Sequence, residues 1–261
     1  APPWGVLYGV RPAKLMHRLC AQMGDDAAVA HFQTAFLTQK SKAELAHEVM
    51  LHENRSIARS GPKSFSLYVS IPFCPTRCAY CSFVSHSIEK THKLMTPYVD
   101  LLLRELEETS KYAKELGLEL ATVYFGGGTP TTLSAQDLGR IFSTIEQNFD
   151  LSHLMEYTVE AGRPDTVTRE RLEVIRAAGV QRISINPQSF NDKVLEAIGR
   201  RHTAQQTLDA FALARDCGFD HINMDFIAGL PGDTCEGFCR SIDKALSLDP
   251  ENITVHTLSR K

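Results

Sequence analysis

Three cysteines at C-x3-C-x2-C spacing are the residues of this sequence best suited to bind a metal. Cys74, Cys78 and Cys81 lie within SIPFCPTRCAYCSF (70–83), and no fourth cysteine is nearby. Three thiolates can hold a [4Fe–4S] cluster and leave one iron open to a further ligand. His86 offers an alternative, because Cys3His is a regular zinc-binding set. The spacing favours the cluster but leaves either metal centre open.

A run of three glycines is the second group of residues that could do chemistry. YFGGGTPTTL (124–133) contains Gly126, Gly127 and Gly128, followed by Thr129. Without side chains, the backbone N–H groups of such a loop can approach a ligand closely. A tight turn between a strand and a helix is an equally good interpretation. The stretch is neither a Walker loop nor a dinucleotide fingerprint.

Four more polar residues lie near the ends of predicted strands. Carboxylates suit ribose hydroxyls or an amino group, and a guanidinium suits a carboxylate. Taken singly, each of the four is better interpreted as a solvated or structural polar group. The four are Glu160, Gln188, Arg200 and Asp225.

The composition is that of an ordinary globular protein, with 261 residues, 43% of them hydrophobic, and a net charge of −3. Nothing in it indicates a nucleic-acid or membrane partner. Seven cysteines without an export signal predict a reducing compartment, and hence a cytoplasmic protein. Cys20 and Cys217 are predicted core residues, and Cys235 and Cys239 a packing pair on one helix face. Because no Met begins the chain, we expect a fragment of a longer protein.

The elements that must position these residues follow from the apolar pattern. Residues 1–60 are predicted to be helical, with Leu45, Val49 and Met50 as one apolar stripe. RSGPKS is a predicted boundary, and residues 61–261 alternate short β-type runs with amphipathic helices. Strands are predicted at 65–71, 120–125, 155–161, 181–185, 221–227 and 252–258. Helices are predicted at 93–116, 134–147, 168–178, 191–214 and 233–247.

This alternation predicts an α/β fold with parallel strands and covering helices. The candidate polar residues lie at the carboxyl ends of five strands, where only a curved sheet brings them to one mouth. We therefore predict an incomplete (βα)6 TIM-like barrel over 61–261, truncated at its C-terminus. A short helical segment over 1–60 precedes it.

Taken together, these motifs resemble those of the radical S-adenosylmethionine superfamily. LYVSIPFCPTRCAYCSF is similar to the Y-x-H-I-P-F-C-x3-C-x-Y-C-x-F element of its oxygen-independent coproporphyrinogen III dehydrogenase family. VYFGGGTPTTL, RISINPQSFNDKVLEAIGRRHT and INMDFIAGLPGDT resemble later signatures of that family. The resemblance covers residues 65–261. GVLYGVRPAKLMHR and ITVHTLSRK further resemble its HemZ-type branch.

The resemblance implies roles for individual residues. Cys74, Cys78 and Cys81 would hold the [4Fe–4S] cluster, and Tyr68 and Ser70 occupy catalytic positions. Ser70 stands where the family usually carries histidine, which leaves the exact substrate open. EAGRPD (160–165) replaces the commoner Glu-Ala-Asn-Pro. Tyr68, Gly127 and Glu160 match positions that contact the S-adenosylmethionine bound to the cluster, and Gly126 is a further binding position in the same glycine run. A second S-adenosylmethionine site of this family is matched by Tyr80, Gly128, Thr129, Gln188, Arg200 and Asp225.

The implied activity is oxidative decarboxylation of coproporphyrinogen III propionates to vinyl groups, which gives protoporphyrinogen IX. The implied partners are this small-molecule substrate and an electron donor, either a reductase or a flavodoxin or ferredoxin. One alternative is a haem chaperone, since relatives keep the same motifs. Another is a radical S-adenosylmethionine enzyme with a different substrate.

Overall fold

The computed structural model describes residues 2–258 of the chain. The chain divides into two compact units, Ala1–Lys63 and Ser64–Lys261. The first unit contains three helices, α1 (Pro12–Met23), α2 (Asp25–Thr34) and α3 (Lys40–Ile57). Gly24, whose φ of +83° suits a residue without a side chain, makes the turn between α1 and α2.

The core of the first unit uses small residues on α3. Ala43, Ala46 and Met50 are buried there, whereas Leu45 and Val49 are 40% and 39% exposed. The predicted stripe was therefore wrong for Leu45 and Val49. Positions 43, 46 and 50 keep the three-to-four-residue spacing of one helix face, which positions 45 and 49 do not share. The face packs on Met16, Leu19, Ala28 and Phe32.

The second unit alternates strands and helices, with a small two-stranded ribbon inserted after the first strand. Its strands are β1 (Ser64–Ile71), β2 (Phe73–Cys74), β3 (His86–Ser87), β4 (Glu119–Gly127), β5 (Glu156–Glu160), β6 (Arg182–Ser184), β7 (His221–Ala228) and β8 (Asn252–Thr257). Its helices are α4 (Ile88–Glu115), α5 (Ala135–Asn148), α6 (Arg169–Ala177), α7 (Asp192–Ala197), α8 (Ala204–Asp216) and α9 (Cys235–Leu246).

Six parallel strands form one sheet in the order β1-β4-β5-β6-β7-β8. Each strand lies beside its successor along the chain, without the reversal of order that defines a doubly wound sheet. Between residues 2 and 258, β1 and β8 are unpaired edges of this sheet. The predicted α/β fold, an incomplete parallel barrel, is confirmed.

The carboxyl ends of the six strands lie at the same edge of the sheet, as parallel pairing requires. Apolar side chains from the strands and helices form the main core of this unit, among them Phe125, Ile141, Ile183 and Phe226. No helix within residues 2–258 is both long and apolar enough to cross a membrane.

Two sequence predictions in the second unit were wrong. The helix predicted over 191–214 is two helices, because Gly199 at φ +77° ends α7 and residues 200–203 form a loop. Cys235 and Cys239 are exposed instead of forming a packing pair, since α9 buries the face that carries Gly237, Ser241 and Ala245. Cys217 is half-buried against the main core.

Candidate active site

The three predicted metal ligands lie on one loop beside the carboxyl end of the sheet. This cysteine loop (residues 74–85) starts in β2 and returns in β3, where Cys74 pairs with Ser87. All three thiols are half-buried. Burial raises the pKa of the Cys74 thiol, and the Thr129 hydroxyl, which donates to its Sγ at 3.4 Å, opposes that shift.

Hydrogen bonds attach the cysteine loop to distant parts of the second unit. The Thr76 hydroxyl donates to the Gly199 carbonyl at 2.8 Å, and the Ala79 N–H donates to the Ile198 carbonyl at 3.0 Å. Both acceptors belong to the C-terminal end of α7. The break after α7, which the sequence pattern did not predict, therefore supports the loop that carries the cysteines.

Arg163 fixes the same loop from the end of β5. Its guanidinium donates to the Thr76 carbonyl at 3.2 Å and hydroxyl at 3.1 Å, and its Nη1 lies 3.7 Å from Cys78 Sγ. An ion pair with Asp165 at 3.2 Å balances the charge, and the arginine side chain is only 3% exposed. A buried positive charge thus lies directly against the thiol of Cys78, a predicted metal ligand.

The glycine loop (residues 126–129) is held tightly against β1 and β2. The Gly128 N–H donates to the Ile71 carbonyl at 2.8 Å, and the Thr129 N–H donates to the Phe73 carbonyl at 2.7 Å. A Cβ on Gly128 would lie 2.6 Å from the Phe73 oxygen. These two N–H groups therefore already donate to main-chain carbonyls. Glycine is required at position 128 because the neighbouring strand backbone packs so closely against it. Gly127 has φ +96°, and its Cβ would lie 2.7 Å from the Ser70 hydroxyl.

Glu160 ends β5 with its carboxylate beside two stacked tyrosines. The Tyr124 hydroxyl donates to Glu160 Oε1 at 2.5 Å, and its ring stacks on Tyr68 with centroids 5.8 Å apart. Burial raises the pKa of Glu160, the Tyr124 hydrogen bond opposes this shift, and the charge of Asp225 adds to it. A cationic or hydrogen-bond-donating ligand that reaches Glu160 would therefore stabilise its ionised carboxylate.

Arg200 lies in the loop after α7 and is 8% exposed. Its Nη1 donates to the carbonyls of Asn186 at 2.6 Å and Gly162 at 3.2 Å, and Nη2 donates to the Tyr80 hydroxyl at 3.3 Å. Burial raises the pKa of Tyr80 to about 12, so this hydroxyl stays protonated at neutral pH. The guanidinium is thereby fixed in one orientation.

Several buried polar atoms around Arg200 are unsatisfied. Asn186 Oδ1, Gln188 Oε1 and Arg200 Nε find no hydrogen-bond partner in the part of the chain that the structure describes. Gln188 has φ +65° and forms an isolated bridge to Phe226, which brings it beside Asp225. Native proteins rarely leave such groups unpaired, so their concentration on one wall indicates a polar ligand.

All these walls enclose one central cavity with a volume of about 330 Å³. The three cysteines, Gly127, Gly128 and Thr129 line one side, and Glu160, Gln188, Arg200 and Asp225 line another. The structure thus brings together most of the sequence-predicted site residues, including Tyr80. The volume of this cavity is within the range of small-molecule binding sites.

Three sequence-predicted residues lie beside the cavity without lining it. Tyr68 is 59% exposed, although its hydroxyl reaches the glycine loop, 2.9 Å from where a Gly126 Cβ would be. Ser70 pairs with Gly126 across β1 and β4, and its hydroxyl points at Gly127. Their assigned roles stay predictions.

Other residues of the cavity carried little or no signal in the sequence. Arg163 stood out only as a departure from the commoner Asn before proline, and Asn186 carried no signal at all. His256 and Thr257 line the cavity from the end of β8. Their position after a predicted strand could have indicated them, because every other strand end contributes to this mouth.

The donor set fits a cluster better than a single ion. A tetrahedral zinc ion would need the three sulfurs about 3.8 Å apart, given Zn–S bonds of about 2.3 Å. Within the described residues, Cys74, Cys78 and Cys81 are not gathered within 4.8 Å of one another, nor does His86 complete such a set with two of them. A cubane distributes its thiolates over separate irons. His86 is also exposed, outside the central cavity.

Comparison with known proteins identifies the family to which the chain is related. Residues 68–245 match the model of the radical SAM superfamily. The chain is 38% identical, over 99% of its length and 52% of the relative's, to the oxygen-independent coproporphyrinogen-III oxidase-like protein HemZ of Bacillus subtilis. It is 39% identical to the haem chaperone HemW of the same organism, over 74% of this chain and 50% of HemW. The chain therefore spans about half the length of these relatives.

A solved structure supports the same assignment. Coproporphyrinogen III oxidase (HemN) from Escherichia coli, whose published description names it a radical SAM enzyme, superposes with a TM-score of 0.66 at 28% identity. The match covers 79% of this chain and 47% of HemN. Radical SAM proteins use a [4Fe–4S] cluster and S-adenosylmethionine, and the cysteine loop and central cavity fit both. The chain belongs to the radical SAM superfamily, in the group that includes HemN, HemZ and HemW.

Proposed function

We propose that this protein is an oxygen-independent coproporphyrinogen III dehydrogenase. The observation that carries the proposal is the central cavity, which joins the cysteine loop to a wall of buried, unpaired polar atoms. Such a cavity supports binding of S-adenosylmethionine in contact with a cluster that has one open iron. The substrate assignment rests on the likeness to HemZ and HemN.

Each wall of the cavity has a task in this proposal. Cys74, Cys78 and Cys81 hold the cluster. Glu160 accepts hydrogen bonds from the cofactor's amino or hydroxyl groups, and Arg200 Nε is a donor for a carboxylate. Gln188 and Asp225 supply further polar contacts, and the glycine loop keeps that side of the cavity free of side chains.

When bound, the two cofactors together supply a one-electron route to a carbon radical that abstracts hydrogen from an unactivated C–H bond. Conversion of one propionate to a vinyl group releases carbon dioxide, one hydrogen atom and one electron. Bound S-adenosylmethionine would supply the acceptor for the hydrogen atom, and an external one-electron acceptor would have to take the electron. The protein's own task is to orient the propionate and to exclude water.

An external donor must deliver the electron that starts each turnover, and we propose a flavodoxin, a ferredoxin or a reductase. Access from outside is supported by the cysteine loop, where Phe83 and Val84 next to Cys81 are 67% and 79% exposed. All seven cysteines are free thiols, which is compatible with the cytoplasmic location that we also propose.

Haem transport is the second candidate, because the HemW relatives are named as chaperones. The extent of the matches favours the first candidate. The HemZ match includes the three N-terminal helices, whereas the HemW matches cover 74–75% of this chain. A radical SAM reaction on another substrate is the third candidate, since Ser70 replaces the usual histidine.

The test is an anaerobic product assay. Reconstituted protein is incubated with dithionite, S-adenosylmethionine and coproporphyrinogen III, and 5′-deoxyadenosine and vinyl products are quantified by mass spectrometry. We expect vinyl groups in proportion to 5′-deoxyadenosine, and no product from Cys78→Ser. Cys235→Ser is the matched control, because Cys235 is exposed and distant in sequence from the loop.

Two results would reject the proposal. Unchanged coproporphyrinogen together with tight, stoichiometric haem binding would favour the chaperone. Formation of 5′-deoxyadenosine without any vinyl product, and without haem binding, would favour another substrate.

A further inference from the structure

Three potential metal ligands from three different helices meet in the first unit. They are Cys20 of α1, Asp25 of α2 and His47 of α3, and their ligand atoms all lie within 4.8 Å of one another. His47 Nε2 is 3.0 Å from Asp25 Oδ2. In the part of the chain that the structure describes, this is the one set of three Cys, His or acidic residues so closely gathered.

The fold of the first unit presents these side chains on a packed scaffold. Gly24 turns the chain directly between Cys20 and Asp25, and its N–H donates to the Cys20 carbonyl at 2.9 Å. His47 follows Ala46, which is buried in the core of the unit. The backbone positions of all three residues are therefore set by helix packing, so a ligand would not have to order a loop.

The three ligand atoms already face one another. His47 Nε2 lies 3.0 Å from Asp25 Oδ2, and the Cys20 and Asp25 side chains also share a hydrogen bond. A cation entering this set would meet a sulfur, an oxygen and a nitrogen that all lie within 4.8 Å of one another.

Distances and ligand types suit a zinc-like ion. Bonds of about 2.3 Å to sulfur and about 2.1 Å to nitrogen and oxygen place tetrahedral ligands roughly 3.4–3.6 Å apart. The observed spacing needs only small side-chain shifts to reach that value. Thiolate with imidazole favours Zn²⁺ over Mg²⁺ or Ca²⁺. The Asp25 side chain is 54% exposed, which leaves entry and a fourth position open to water.

We propose that Cys20, Asp25 and His47 form a second metal site that binds one zinc-class divalent cation, independent of the iron–sulfur cluster. Three protein ligands and one water are typical of an open zinc site. The ion would link α1, α2 and α3, and would stabilise the first unit against unfolding in proportion to its binding.

Metal analysis tests the proposal on the full chain. Cluster-loaded protein is dialysed against Zn²⁺, and zinc and iron are counted by mass spectrometry. We expect one zinc per chain in addition to cluster iron, and a zinc-dependent rise in melting temperature. Cys20→Ser and His47→Gln should each weaken zinc binding at least about 100-fold, because loss of a direct ligand should cost no less than loss of an outer-shell partner.

Matched controls separate this site from other thiols. Cys235→Ser, at an exposed cysteine, should bind zinc like the parent. Should Cys20→Ser fold poorly, Asp25→Asn serves as the second variant, with circular dichroism as the check on folding. Zinc retained at parental affinity by these variants, or absent from the parent, would overturn the proposal.

Cobalt gives a direct signature of the sulfur ligand. In the full chain with Cys74, Cys78 and Cys81 replaced by alanine, Co²⁺ should produce thiolate charge-transfer absorption. Cys20→Ser in that background should abolish the absorption. Its survival would assign the signal to another thiol and reject the site.

Discussion

Replacing Arg163 by asparagine would remove a buried positive charge next to Cys78, a proposed ligand of the iron–sulfur cluster. The guanidinium lies 3.7 Å from Cys78 Sγ and its side chain is 3% exposed, so solvent screens it little. A positive charge favours the reduced cluster, which carries one more electron. Arg163→Asn should therefore lower the reduction potential and make the cluster harder to reduce.

The size of the shift follows from Coulomb's law. With about 6 Å between the guanidinium and the added electron, and an effective dielectric constant of about 20, the interaction is about 3 kcal/mol. For one electron, 1.4 kcal/mol corresponds to about 59 mV. The expected decrease is therefore on the order of 100 mV. The ion pair with Asp165 predicts that Arg163→Asn with Asp165→Asn shifts less, because opposite charges leave together.

The assay is a redox titration of the reconstituted protein, followed by electron paramagnetic resonance of the reduced cluster. Iron content is measured alongside, since Arg163 also holds Thr76 and its loss could loosen the cysteine loop. Arg169→Asn is the matched control, because Arg169 is exposed on α6. Unchanged or increased potential in Arg163→Asn, at full iron content, would refute the electrostatic reasoning.

Three further predictions concern metal binding, packing and pH. Cys78→Ala should abolish cluster binding, whereas His86→Ala should retain it, as iron and sulfide analysis will measure. Gly128→Ala should destabilise the protein by about 1–3 kcal/mol in urea unfolding, because the added Cβ would lie 2.6 Å from the Phe73 oxygen. Gly61→Ala is the control and should change the stability little, because a Cβ added there would meet no heavy atom of the described residues within 4 Å, apart from its chain neighbours. Burial lowers the pKa of His202 to about 3, so as pH falls below about 6.5 the unfolded chain binds a proton at His202 while the folded chain does not. The free energy of unfolding should then fall by up to about 1.4 kcal/mol per pH unit between about pH 6.5 and about pH 3. His202→Gln should remove this contribution to the pH dependence of stability.

Each of these has a contrary outcome. Loss of iron from His86→Ala to the same extent as from Cys78→Ala would indicate a four-ligand site. A Gly128→Ala protein as stable as its parent would show that the glycine loop can move away from β2. An unchanged acid slope in His202→Gln would mean that other groups cause the acid sensitivity.

The sheet and the cysteine loop were accessible from sequence because their signals are local. Six apolar β-type runs separated by helix-length stretches predict parallel order, and strand ends of such a sheet converge whatever the side chains are. The metal ligands were recognisable because three thiols stand within eight residues of each other. The caps Ser134 and Thr168 mark the starts of α5 and α6 in the same local way.

What the sequence did not reveal depends on contacts between distant residues. The apolar pattern continues through Gly199, which hid the helix end that Gly199 makes at φ +77° and the contact of the cysteine loop with that end. Arg163 is polar and next to proline, which is typical of a solvated turn, yet it is buried on Thr76 and Asp165. The faces of α3 and α9 were misjudged because small residues, not large apolar ones, lie at their close contacts.

The hydrogen bond between Thr76 and Gly199 has a consequence for how the protein matures. It joins residues 123 positions apart, and the Arg163 contact joins residues 87 positions apart. Contacts of such long sequence separation form late, because closing a long loop costs entropy before any contact compensates for it. A chain emerging from the ribosome would expose its three cysteines well before α7 exists to support them. Iron delivery should therefore succeed only after synthesis has passed α7, so that cluster insertion reports completed folding of the barrel.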